Sequence, residues 1–339
     1  MVKKTLIITV GIIAIAVIFG LILWQLTKVF PREAKVYRIG LLQFAPTVAE
    51  NMEGFKIGMA EMGYKEGVSV NYTYRDAQGD LSKLGEYVKE LVAMSPDLIF
   101  VNTSPATKAI KEATKDTGIP VVFSMVADAQ RAGFVQSMES SGNNLTGTIC
   151  AYIDIAAKRL SILKEIDPGI KKVLVFYRPE DLSGGPATEK ILEAAPEIGL
   201  EIMAIPIQKK EDVRDYLSTI SSMRMTGSID AIMDPADSMV TAALTEWGIA
   251  KAKELKIPLM MLSKGEAEKG ALASYGVDYI DLGKQSSLIA NQVLGGVAPA
   301  AIPVEIPRKF LFVINLKTAE EIGLEIPQAV LEKADIVIK

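Results

Sequence analysis

The chain contains no histidine. That absence removes the commonest general base and the commonest metal ligand, so triads built on an imidazole and His-bearing metal sites are excluded. Cysteine is almost missing too: Cys150 is the single one, which rules out an intrachain disulfide framework and a Cys-rich zinc site. One thiol leaves the redox compartment open, because 339 residues bury enough core to fold without staples. Long basic runs are also missing and the formal net charge is −4, so nucleic acid is not expected as a partner. There is no Gly-rich Walker loop, and Gly184-Gly185 lacks the rest of a dinucleotide fingerprint. No cofactor and no metal are expected, and no catalytic residue is assigned.

What is present begins with one long apolar run. From Thr5 through Thr27 no residue is charged, and at 1.5 Å per residue that length spans a hydrocarbon core of roughly 30 Å. Lys3 and Lys4 precede it, which favours an inside N-terminus with the remainder outside. A cleaved signal peptide would have a shorter apolar region and a small-x-small exit, whereas this exit reads Trp24-Gln25-Leu26-Thr27-Lys28. The sequence therefore predicts an uncleaved, single-pass anchor in the cell membrane, with residues 1–35 as anchor and tether.

Beyond the tether, short apolar strands alternate with amphipathic helices, beginning with a strand at Val36 to Phe44 and a helix at Val48 to Met62. Strands that are apolar throughout and separated by such helices imply βαβ crossovers and mostly parallel sheets. Ser, Gly and Asn break the rhythm from Gln136 to Gly147, after which the alternation restarts. Later elements include helices at Val213 to Met223 and Met239 to Leu255 and a long helix at Leu282 to Leu294. The expected fold is α/β, with two doubly wound parallel-sheet lobes. The first takes residues 36–147 and 276–305 and the second 148–275 and 306–339, so that three chain crossings form a hinge.

Certain residues carry a family likeness in consistent order. They include Gly54-Phe55, Gly63-Tyr64, the run Tyr74 to Asp80, Pro96-Asp97-Leu98-Ile99, Pro120-Val121-Val122-Phe123, Gly142 to Gly147, Asp278-Tyr279 and Asn315-Leu316-Lys317. From Tyr37 to Pro327 the chain resembles the ABC-transporter substrate-binding proteins that include the tryptophan- and tyrosine-uptake components. The resemblance implies a type I periplasmic-binding fold, a small-molecule ligand, and an ABC permease with a separate ATPase as partners. It departs from the family at Ala127-Asp128-Ala129, where Thr-Asp-Pro is usual, at Arg178, where Asn is common, and at Gln43 to Pro46.

In open parallel sheets, ligands bind outside the carboxyl ends of the strands. That rule selects Phe44, Thr103, Ser104, Asp128, Tyr177, Asp237 and Ser263, with Tyr152 and Asp278 near the lobe crossings. In Asn102 to Thr107, hydroxyl residues precede a proline suited to a first helical turn. Free N–H groups near Ser104, Ala106 and Thr107 would then suit a carboxylate, unless the segment is an ordinary capped helix. Asp237 and Asp128 could accept from a ligand ammonium, or simply cap helices. Phe44, Tyr152 and Tyr177 could wall an apolar part of the ligand.

The expected function is the extracytoplasmic, monomeric solute-binding component of an ABC-type uptake system, taking an amino-acid-like or carboxylate-bearing ligand. A membrane-anchored sensory ectodomain of the same fold is the alternative, and an enzyme is the least favoured reading.

Overall fold

The computed structural model describes residues 35–220 and 229–339. The apolar segment from Thr5 to Thr27 lies outside the described residues, as do Ser221 to Met223. Among the described residues no helix is long and apolar enough to cross a membrane.

The first lobe is laid down as β1 (Tyr37–Gln43), α1 (Ala49–Glu61), β2 (Val70–Asp76), α2 (Leu81–Ala93), β3 (Leu98–Asn102), α3 (Ser104–Thr114), β4 (Val121–Val126) and β5 (Leu145–Ile149). These strands make one parallel sheet in the order β2-β1-β3-β4-β5. Every residue of β3 and β4 is buried, as expected for strands covered on both faces. Leu84, Val88 and Ile110 cover one face, and Met52, Phe55 and Met59 cover the other.

The second lobe contains α4 (Ala156–Ile166), β6 (Lys172–Tyr177), α5 (Gly184–Ala194), β7 (Glu201–Pro206), α6 (Lys210–Thr219), β8 (Ala231–Met233), α7 (Ser238–Ala243), α8 (Ile249–Leu255), β9 (Leu259–Met261), α9 (Lys264–Glu268) and β10 (Ala273–Val277). The chain then returns to the first lobe as α10 (Tyr279–Leu294). It ends in the second with β11 (Phe310–Asn315), α11 (Leu316–Ile322), α12 (Gln328–Leu331) and β12 (Ile336–Ile338). The second sheet runs β12-β11-β10-β9-β8-β6-β7.

Four local expectations are corrected. The segment read as a break, Gln136 to Gly147, runs into β5, whose sequence LTGTI is fully buried. The second sheet is not wholly parallel, because β11 enters from the hinge side and pairs antiparallel with β10. The helix expected from Val213 begins a turn earlier, at Lys210, where Asp212 accepts from the Gln208 and Lys209 N–H groups. The single helix expected from Met239 to Leu255 contains a π turn, Leu244–Gly248, between α7 and α8.

The parallel helices α1 and α10 pack closely through glycine. A Cβ at Gly54 would lie 2.2 Å from the Ile280 carbonyl oxygen, and one at Gly283 would lie 2.1 Å from that of Asn51. This seam fixes the start of α10 beside the hinge. The crossings follow β5, follow β10, and precede β11. Across them Tyr152 donates to Tyr279 at 3.1 Å, and the third crossing bonds to β5 through Ile149 N–H to Glu305 O at 3.0 Å.

Candidate ligand-binding site

The carboxyl ends of β1 to β5 and of the parallel strands β6 to β10 lie toward the junction of the lobes, where Met125, Tyr152, Ala236 and Leu262 share one apolar cluster, and backbone strain collects there. Seven non-glycine residues have positive φ among the described residues, and besides Gln78 (+53°), just past β2, four lie at these ends. They are Thr103 (φ +74°), Met125 (+55°), Ala151 (+52°) and Ala236 (+72°). Such a φ is costly for a β-branched residue, and strain of this kind concentrates at ligand sites. Met125 also interrupts the β4/β5 register between Phe123 and Val126.

The first-lobe wall starts at Thr103, the N-cap of α3. Its backbone accepts at 3.0 Å from the Thr107 N–H and at 2.8 Å from the Thr107 hydroxyl. Thr107 is thereby committed within the helix, its hydroxyl already engaged and its side chain fully buried. The Ala106 side chain is likewise in the core, and only its N–H remains for the site. The N–H groups of Ser104 and Ala106 have no acceptor among the described residues. Beside them, the buried Thr103 Oγ1 and Asn102 Nδ2 also lack partners. A buried polar atom left unpaired costs about 1–3 kcal/mol, so a cluster of unpaired donors marks a place built for an acceptor. Phe44 is half-buried nearby, its N–H donating to Asn102 Oδ1 at 3.3 Å. Asp128 turns back on its own loop, accepting from the Arg131 N–H at 2.9 Å.

In the second lobe Tyr177 is half-buried at the end of β6, and the next residue reaches across to the β8 exit. Arg178 holds Asp237 with Nε at 2.9 Å from Oδ2 and Nη2 at 2.8 Å from Oδ1. Asp237 is fully buried, and its Oδ1 also accepts from the Met239 N–H at 2.9 Å. Its carboxylate is therefore engaged by helix capping and by Arg178, the capping role being one of the two that its position allowed. Asp181, held by Arg178 Nη2 at 2.8 Å, is raised from the usual carboxylate range by burial and by the neighbouring Asp237 charge.

The remaining expected residues sit at the hinge. Tyr152 is buried against Tyr279, in an apolar cluster that draws Val48, Met125 and Ala127 from one lobe and Ala236 and Leu262 from the other. Ser263 caps α9, its N–H donating to Glu266 at 2.8 Å. Asp278 caps α10 and pairs with Lys309 at 3.0 Å. Ser263 and Asp278 line a groove of about 510 Å³ with Glu50, Glu53, Lys264 and Asp335. This groove lies past the carboxyl ends of β9 and β10 and its lining includes none of Phe44, Thr103 and Tyr177; the unpartnered donors lie at the α3 wall instead, which makes that wall the better candidate.

Sequence reasoning missed Arg159, Asp181 and Ser183. Arg159 is fully buried in α4, donating to the Asp234 carbonyl at 2.6 Å and the Met261 carbonyl at 3.0 Å. Its spacing from Ile155, Ile162, Leu163 and Ile166 puts it on the apolar face, a signal that could have singled it out.

Residues 39–338 match the family described as ABC transporter substrate binding protein. The chain belongs to that family. Its members are solute-binding proteins, not enzymes, that work with an ABC permease and ATPase. A tyrosine-binding protein of Clostridioides difficile (strain R20291) is 28% identical over 294 residues, which is 86% of this chain and 82% of that one. An ABC domain in complex with L-Trp from Streptococcus pneumoniae is 29% identical, covering 90% of this chain and 100% of its own, with a TM-score of 0.80. The ligand-free, open structure of a substrate-binding protein with adhesive properties from Clostridium difficile is 27% identical. It covers 90% of this chain and 99% of its own, with a TM-score of 0.70.

Proposed function

We propose that this chain binds a small, carboxylate-bearing ligand of aromatic amino-acid size between its lobes and passes it to an ABC permease driven by a separate ATPase. The observation that carries this reading is the set of unpartnered donors at the start of α3: the Ser104 and Ala106 N–H groups, Thr103 Oγ1 and Asn102 Nδ2. Four unpartnered donors within residues 102–106, at the positive end of an eleven-residue helix, suit a carboxylate. Phe44 and Tyr177, half-buried on opposite walls, offer aromatic faces for the rest of the ligand. The ligands named for the two relatives, tyrosine and L-Trp, have this combination of groups. The chain also resembles the tryptophan-bound relative more closely than the open one, at nearly equal identity, which supports a closed arrangement of the lobes. Thr5 to Thr27 would anchor the monomer at the outer membrane surface.

The test is calorimetry of the full chain against tryptophan, tyrosine and neutral sugars. Saturable one-to-one binding of an aromatic carboxylate, recovered unchanged, is expected. Binding of a neutral sugar with no response to either carboxylate would overturn the reading.

A further inference from the structure

The side-by-side order of β8 and β6 brings the two strand exits together, and the chain fills that place with its own cation. Asp237 Oδ1 accepts from Arg178 Nε at 3.1 Å and Nη2 at 2.8 Å, and from the Met239 and Val240 N–H groups at 2.9 and 3.3 Å. Oδ2 accepts from Arg178 Nε at 2.9 Å and the Arg178 N–H at 3.2 Å. No lone pair of Asp237 is left for an ammonium. Asp181 is held too, by Arg178 Nη2 on one oxygen and by the Ser183 and Gly184 N–H groups on the other. Gly184 seals the arrangement, since a Cβ there would stand 2.5 Å from that of Asp237.

Arg178 keeps one edge unspent. Nε and Nη2 are engaged, whereas Nη1 has no acceptor among the described residues, and the side chain is 19% exposed. The buried Ser183 Oγ beside it is also unpartnered. Asp234 Oδ2, unpartnered at the same exit, is fully buried with its residue, whereas Arg178 Nη1, Ser183 Oγ, Thr103 Oγ1 and Asn102 Nδ2 can all donate, which favours an acceptor-rich ligand.

We propose that Arg178 is a specificity-determining residue: it stands in for a ligand ammonium at Asp237, so that the site selects aromatic carboxylates without requiring an α-amino group. This rests on the reading that an aromatic carboxylate binds at the strand ends, and it narrows the chemical class of that ligand. An amino acid would have to displace a bidentate guanidinium to reach Asp237, whereas its deaminated analogue would not.

The experiment compares dissociation constants of the full chain for tryptophan and tyrosine with those for indole-3-propionate and 3-(4-hydroxyphenyl)propionate. The deaminated pair is expected to bind within about threefold of the amino acids, or more tightly. Arg178→Asn exposes Asp237 and should move the ratio of constants about tenfold toward the amino acids, while Arg178→Lys, which keeps the cation, should not. A ratio of constants is insensitive to a partly unfolded sample, and the wild-type ratio is decisive even if the Asn variant does not fold. A wild-type preference of about tenfold or more for the amino acids would overturn this inference alone, as would an unchanged ratio in Arg178→Asn. Failure of all four compounds to bind would overturn the proposed function and the inference with it.

Discussion

Replacing Asp234 with Asn should stabilise the protein, and by an amount that grows with pH. Asp234 leaves β8 fully buried, with Oδ1 accepting from the Ala236 N–H at 2.8 Å and Oδ2 unpartnered among the described residues. Burial pushes its carboxyl from 3.8 up to about 7, against the pull of Arg159 in α4 and the bond from the Ala236 N–H; Glu266 in α9 adds to the rise. Arg159 spends its two terminal nitrogens on the Asp234 and Met261 carbonyls, so no direct ion pair offsets the burial. The folded value lies above the unfolded one, so the folded state holds the proton longer. Stability contributed by the protonated form is complete below 3.8, falls as pH rises through the window, and is lost above about 7. A shift of about three units corresponds to about 4 kcal/mol at pH 7.5. Asn cannot ionise and retains an oxygen for the Ala236 N–H. The attraction between Arg159 and Asp234 exists only when Asp234 is ionised and is already contained in the folded value, so its loss adds nothing further to the slope. Thermal or urea unfolding of both proteins between about pH 4.5 and 7.5 should show the gap widening in favour of the variant by several degrees. Parallel curves across that range would refute the argument, because they would mean that Asp234 titrates alike in both states.

Other outcomes follow from packing and strain. Gly54→Ala should cost about 1–3 kcal/mol in chemical denaturation, since the added methyl meets the Ile280 carbonyl at 2.2 Å along a backbone contact that cannot relax. Thr103→Val keeps the side-chain shape and removes an unpartnered buried hydroxyl, so unfolding should show stability unchanged or raised by about 1 kcal/mol while calorimetry shows ligand affinity falling about tenfold. Tyr152→Phe removes the hydroxyl contact between two hinge crossings and should lower stability by about 1 kcal/mol, measured by urea midpoint.

The alternating architecture was legible because β3 and β4 are apolar at every position and buried on both faces, and the intervening helices carry a clear apolar stripe. β5 was not, because LTGTI has only two large apolar residues and its middle glycine is demanded by a neighbour: a Cβ at Gly147 would lie 1.9 Å from the Phe123 carbonyl oxygen. The turn of β11 against β10 escaped notice because strand direction depends on where the third crossing re-enters, which no local pattern records. At the strand ends, the rule pointed to Thr103, Tyr177 and Asp237, since position along an alternating chain suffices for it. The rule could not say which of these side chains remain available. Arg178 occupies Asp237 and the Thr103 carbonyl takes the Thr107 hydroxyl through distances set only on folding.

The central claim is the location of the site, and hydrogen exchange of backbone amides with and without bound tryptophan or indole-3-propionate tests it most directly. The account predicts that protection appears at Ser104 and Ala106 in the first turn of α3 and around Arg178 to Gly184, with little change at Glu50, Glu53 or Lys309. Protection confined to the hinge-side groove, with the α3 amides exchanging as before, would contradict it.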